Sequence, residues 1–158
     1  MFSASLELIL NIAYREAASR RHTHLTLEHL LYALAHDPDG ERILAACGAD
    51  LQGLRVTLDE FLPSLETFGK EERTREPAQT LGFRRVLQAA VLHVQSAGKD
   101  EVRSGDVLAA ILQQPKAYAT QLLETQAITR LDVLNYISHG ISKVPLTSGE
   151  SELKSATV

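Results

Sequence analysis

Leu25-Thr26-Leu27-Glu28-His29-Leu30-Leu31-Tyr32-Ala33-Leu34 is the stretch whose reading decides the fold. Leu27, Leu30, Leu31 and Leu34 fall at i, i+3, i+4 and i+7, the spacing of one apolar stripe along a short helix. Thr26 stands where an N-cap belongs, and Glu28 lies in the first turn, where the helix dipole favours an anion. The layout recurs about 77 residues later in Val102-Arg103-Ser104-Gly105-Asp106-Val107-Leu108-Ala109-Ala110-Ile111. There Ser104 reads as the cap and Asp106 as the first-turn acid. One helical unit used twice is the expectation.

Upstream of the first copy, Leu6, Ile9, Leu10, Ala13 and Ala17 make the stripe of an opening helix that the polar run Arg21-His22-Thr23-His24 interrupts. Downstream, Asp37-Pro38 is a helix start, Asp as cap and Pro pre-set for the first turn, and Gly48 is its stop. Asp50 then caps a fourth helix through Leu51, Leu54, Leu58 and Phe61, closed by Pro63. From 63 to 79 the apolar period fails, and Lys70-Glu71-Glu72-Arg73-Thr74-Arg75-Glu76-Pro77 reads as an exposed connector.

The second half repeats this order. Gln79 or Thr80 opens a helix through Phe83, Val86, Leu87, Ala90, Val91 and Val94 to Gly98; the Ser104 helix follows. Pro115 starts a short helix through Leu122 and Leu123, and Thr129 caps a last one through Leu131, Leu134 and Ile137 to Gly140. At the same offset Leu10 meets Leu87, Ala13 meets Ala90, Leu31 meets Leu108 and Ala33 meets Ala110. No segment combines alternation with β-branched enrichment, so no sheet is expected. The fold class is all-α, a pseudo-twofold double repeat of a four-helix unit. Residues 143–158 are polar and aperiodic, and disorder is expected there.

With 158 residues, 44% apolar and 23% charged, the chain is sized for one domain with a substantial core. A net charge of −4 argues against a nucleic-acid binder and suits a neutral or basic protein partner. Cys47, the single cysteine, lies among Ala45, Ala46 and Gly48 and reads as a small buried hydrophobe; no internal disulfide can form. No apolar run reaches membrane-spanning length and no signal-peptide pattern opens the chain, so a cytoplasmic protein is expected.

The chain lacks a phosphate loop, a dinucleotide fingerprint, a nucleophile elbow and a C-x-x-C pair. His22, His24, Glu28 and His29 carry zinc-type donors, the basis of a rival reading as a small metal-dependent hydrolase. They lack the spacing that sets two imidazoles one helical turn apart on one face. They read instead as solvated His22 and His24 beside a helix-start Glu28, with no metal and no catalytic residue. His93 and His139 have no visible partner, and Asp59-Glu60 and Glu71-Glu72 are adjacent rather than convergent. Polar residues at helix starts, Thr23, Glu28, Thr80, Thr129 and Arg130, are candidates for a partner-binding rim.

Four segments then carry a resemblance: Leu25 to Leu31, Phe83-Arg84-Arg85-Val86-Leu87, His93 to Gly98, and Thr129 to Gly140. Over residues 1–142 the chain resembles the N-terminal domains of Clp AAA+ unfoldases, of the ClpA branch in particular. The resemblance implies two four-helix repeats on an ATP-driven hexamer that unfolds proteins and feeds them to the ClpP peptidase. It implies docking of the N-degron adaptor ClpS and direct contact with substrate proteins, with ATP bound by modules absent here. Residues 143–158 would then begin a flexible linker. The adaptor-facing positions fall on Glu28, Thr80, Arg85 and Arg130, and on Thr23, where the family version is acidic. Glu28→Lys is expected to weaken adaptor binding and leave the fold intact. An N-domain of ClpC or ClpB type with other partners is the alternative.

Overall fold

The computed structural model describes residues 1–71 and 75–144. Eight α-helices run in order among the described residues: α1 (Ala4–Ser19), α2 (Leu27–Ala35), α3 (Pro38–Ala46), α4 (Leu51–Phe61), α5 (Leu81–Ser96), α6 (Ser104–Ile111), α7 (Tyr118–Thr125) and α8 (Arg130–His139). A single 3-10 turn, Leu62–Ser64, follows α4. The all-α double repeat is therefore the observed architecture.

The 77-residue offset holds to the residue for the first two helices of each repeat. Leu6, Ile9, Ala13 and Ala17 are the buried positions of α1, and their equivalents Phe83, Val86, Ala90 and Val94 are the buried positions of α5. Ser3 caps α1 by accepting from Leu6 N–H at 3.1 Å, and Thr80 caps α5 by accepting from Phe83 N–H at 3.1 Å. Central helices α2 and α6 are buried almost all round and touch each other, α2 packed by α1 and α6 by α5. Each fully buried Leu or Phe in this shared core contributes about 1.5–3 kcal/mol of transfer free energy.

What ties the repeats together is an exchange of short extended segments. The residues just before α5, β2 (Ala78–Gln79), pair in parallel with those just before α2, β1 (His24–Leu25). Thr80 N–H donates to Leu25 O at 3.1 Å. At the equivalent crossing Phe2 bridges Val102, and Ser3 N–H donates to Val102 O at 2.8 Å. Each repeat thus opens its first helix on the backbone of the other. The expectation of no sheet needs one correction, the two-residue β1–β2 pair, which is too short to show alternation in the sequence; Phe2–Val102 is a single bridge.

Two helix starts also differ from the reading above. The cap of α6 is Arg103, not Ser104, which sits buried at the first helical position; Asp106 accepts from Arg103 N–H at 2.9 Å. Helix α7 begins at Tyr118, and Pro115 lies in the turn before it. Pro115 has no capping Asp in front of it, so its favourable φ alone does not start a helix. Helices α3, α4 and α8 begin as expected on Asp37, Asp50 and Thr129, and Gly140 closes α8 with φ +68°. Residues 72–74 of the expected connector and 145–158 of the expected tail lie outside the described residues. Lys143 N–H donates to Ala46 O at 2.8 Å, and its ammonium reaches Asp132 Oδ2 at 2.9 Å and the Ala127 carbonyl.

Candidate partner-binding site

The two crossings each open into a cleft. One, about 1120 Å³, lies between the starts of α1 and α6, the end of α5, α3 and α8; Ser3, Asp39, Arg42, Lys99, Asp106 and Tyr136 are among its walls. The other, about 270 Å³, lies where α5 starts against the approach to α2, lined by Thr23, His24, Thr26, Leu65, Glu66 and Thr80. The clefts are equivalents in the repeat, since Ser3 corresponds to Thr80 and Arg103 to Thr26. They differ because Leu65 and Glu66 wall the second one.

That wall is held in place. Thr23 N–H donates to Glu66 O at 3.0 Å, Phe68 N–H donates to Arg21 O at 2.8 Å, and Arg21 Nη2 donates to Gly69 O at 2.7 Å. Arg21 takes the left-handed backbone conformation, φ +59°, which costs a non-glycine residue about 1 kcal/mol. These bonds from residues 66–69 offset that cost. The start of the expected connector is exposed at Glu66, Thr67 and Gly69, as the sequence suggested, and these bonds tie it to the first repeat.

Of the sequence-predicted rim, Thr23 and Thr80 meet at this small cleft. Arg85 is exposed on α5 beside exposed Arg84, and neither makes an ion pair with a described residue. Arg130, at the first position of α8, is half-buried, and its Nε has no hydrogen-bond partner among the described residues. Glu28 is 9% exposed, and its Oε2 accepts from Ala119 N–H at 3.0 Å, capping α7 from the other repeat. A lysine there would set a cation against that helix N-terminus, so the expectation that Glu28→Lys leaves the fold intact is corrected. Nothing in the local pattern around Glu28 signals this partner, which lies 91 residues away.

The histidines are also placed differently from the reading above. His22 is buried, not solvated, and its Nδ1 lies 2.7 Å from His29 Nε2. His29 Nδ1 accepts from Thr26 N–H at 3.0 Å, so His29 carries its proton on Nε2 and donates it to His22. Burial, then the neighbouring His22 and Arg20, push the His29 imidazolium down to about 4; burial also lowers His22. His24 is exposed, with Nδ1 2.9 Å from Thr23 Oγ1. With these atoms committed elsewhere, no group of three His, Cys, Asp or Glu is placed to hold a metal among the described residues. Cys47 is buried, and burial pushes its thiol up to about 11, as expected of an inert core residue. His93 and His139 are exposed in the last turns of α5 and α8. Among the described residues no helix is long and apolar enough to cross a membrane.

A pseudo-twofold pair of four-helix repeats, with clefts at two exchanged strand crossings, defines a helical binding module. Residues 1–126 match the family described as the Clp repeat (R) N-terminal domain, and the chain belongs to that family. The ClpA homolog protein of Fuscovulum blasticum is 42% identical over 151 residues, 95% of this chain and 19% of that protein. The chaperone protein ClpB of Lactiplantibacillus plantarum is 26% identical over 137 residues, 86% of this chain and 16% of that protein. The chain thus spans about a fifth or less of the length of these curated relatives. Among solved structures, the ClpV N-domain in complex with a VipB peptide superposes with a TM-score of 0.69 at 22% identity. It covers 90% of this chain and 89% of its own. The fold is that of Clp N-domains, which serve Clp ATPases as binding domains.

Proposed function

We propose that this chain is the adaptor- and substrate-docking domain of a ClpA-like, ATP-driven unfoldase that works in the cytoplasm and feeds substrates to ClpP. The single observation that carries the reading is the 42% identity to a ClpA homolog across 95% of the chain. In this reading the domain binds the adaptor ClpS, ATP is handled by modules outside this chain, and residues 143–158 begin the linker to them.

The adaptor-facing set is Thr23, Thr80, Arg85, Arg130 and Glu28. Thr23, Thr80 and Arg85 have surface to offer, and Arg130 has a buried donor without an acceptor among the described residues. Glu28 has one carboxylate oxygen committed to Ala119, so its other oxygen is what remains for a partner. Charges at such a rim act mainly on association rate and specificity.

Calorimetric titration with purified ClpS from the same organism, at two salt concentrations, tests the proposal. Saturable one-to-one binding that weakens with salt is expected. No heat at either salt, with no co-elution on a sizing column, favours the second reading, a ClpB- or ClpC-type N-domain with other partners, which the 26% identity to a ClpB chaperone supports.

A further inference from the structure

We infer that the small cleft at the start of α5 receives a cationic side chain, lysine or arginine, of a bound partner protein, with Glu66 as the counter-charge. The inference rests on the docking role proposed above and adds a residue and a ligand chemistry to it.

The cleft joins three features that suit such a side chain. Its walls include Leu65 and the Thr23, Thr26 and Thr80 side chains, and its volume of about 270 Å³ fits an aliphatic stem rather than a whole ligand. One acidic residue lines it, Glu66, which is exposed and makes no ion pair with a described residue. That carboxylate is oriented, because Thr23 Oγ1–H donates to Glu66 Oε1 at 3.0 Å.

The Thr23 hydroxyl has one proton, and it goes to Glu66. His24 Nδ1, 2.9 Å from the same oxygen, is therefore the donor of that contact. The chain His24 to Thr23 to Glu66 polarises toward the carboxylate and leaves Oε2 without a partner among the described residues. The backbone beneath is fixed by the Thr23 N–H bond to Glu66 O. A carboxylate held in one orientation loses little side-chain entropy on pairing, which separates it from an ordinary surface glutamate.

The test is an NMR titration of the 15N-labelled 158-residue chain with Nα-acetyl-lysine methylamide, and in parallel with its neutral counterpart Nα-acetyl-norleucine methylamide. The lysine derivative is expected to shift the amides of Thr23, Leu65, Glu66 and Thr80 saturably, about fivefold more tightly than the neutral one. Glu66→Gln, at an exposed site, is expected to keep the fold and abolish that preference, and Thr23→Val to reduce it. Equal binding of the two compounds, no shift at these amides, or an undiminished lysine preference in Glu66→Gln overturns the inference. ClpS titrated against Glu66→Gln separates the two proposals. Lysine binding at the cleft with no ClpS binding to the unsubstituted chain refutes the adaptor reading alone. Unchanged ClpS affinity together with a silent lysine titration refutes the cleft alone.

Discussion

The starts of α3 and α7 occupy equivalent places in the two repeats and are satisfied by opposite means. In the first, Asp37 accepts from Asp39 N–H at 2.9 Å and Gly40 N–H at 3.3 Å, a cap made within one turn. In the second, the residue equivalent to Asp37 is Gln114. Helix α7 starts late, on Ala117 with no side-chain cap, and Ala119 N–H finds Glu28 from the first repeat. The position equivalent to Glu28 is Gly105, which needs no carboxylate because α3 already has its own cap. Instead, Gly105 admits α8: a Cβ built there would lie 2.4 Å from Ile137 Cγ2. Orphan N–H groups at a helix start must be paired, but either repeat can supply the acceptor. At the start of α3 two N–H groups are paired by a local carboxylate, and at the start of α7 one is paired by a carboxylate from the other repeat.

The repeats differ also at the third position of their central helices, His29 in α2 and Asp106 in α6, and this predicts the largest effect. His29 is neutral in the fold and titrates near 4, against an ordinary 6.5. The unfolded chain therefore binds the proton first. The stabilisation is complete above about pH 6.5, is lost as pH falls toward 4, and amounts to up to ~3 kcal/mol. Denaturant unfolding from pH 7.5 to 4 is expected to show that slope, and His29→Gln is expected to flatten it.

Next in size, Gly105→Ala is expected to cost about 1–3 kcal/mol by pushing α6 from α8, read as a lowered urea midpoint. Glu28→Ala leaves the buried Ala119 N–H unpaired and is expected to cost about 1–3 kcal/mol, so its effect on ClpS affinity must be corrected for stability. Ala117→Ser in that background, placing a local cap on α7, is expected to recover about 0.5–1 kcal/mol. Smallest is Asp37→Ala, about 1 kcal/mol or less, because the α3 start keeps Pro38 at its first position. Equal losses for Asp37→Ala and Glu28→Ala would erase the contrast drawn between the repeats.

Most of the helices were legible because their signals are local. A cap, a stripe or a stop lies within a few turns for α1 to α5 and for α8, and the offset that relates the repeats predicts the equivalent buried faces of α1 and α5. The misplaced starts of α6 and α7 share one cause. Ser104 and Pro115 are good start residues in isolation, whereas the observed starts depend on Asp106 reaching back to Arg103 and on Glu28 reaching across to Ala119. The site was less legible still. Thr23 and Thr80 were named separately, while Glu66, which lines the same cleft and bonds Thr23, lay inside what read as an exposed connector.

By itself, the sequence determined the helical period, most of the helix boundaries, the double repeat and the buried neutral cysteine, because each depends on residues one or two turns apart. Only the tertiary structure decided which strand segment crosses to which repeat, that Glu28 is a cap, that His29 donates to His22, and where the clefts lie. Those outcomes depend on groups tens of residues apart that meet only after the helices have packed, and spacing along the chain carries no record of such meetings.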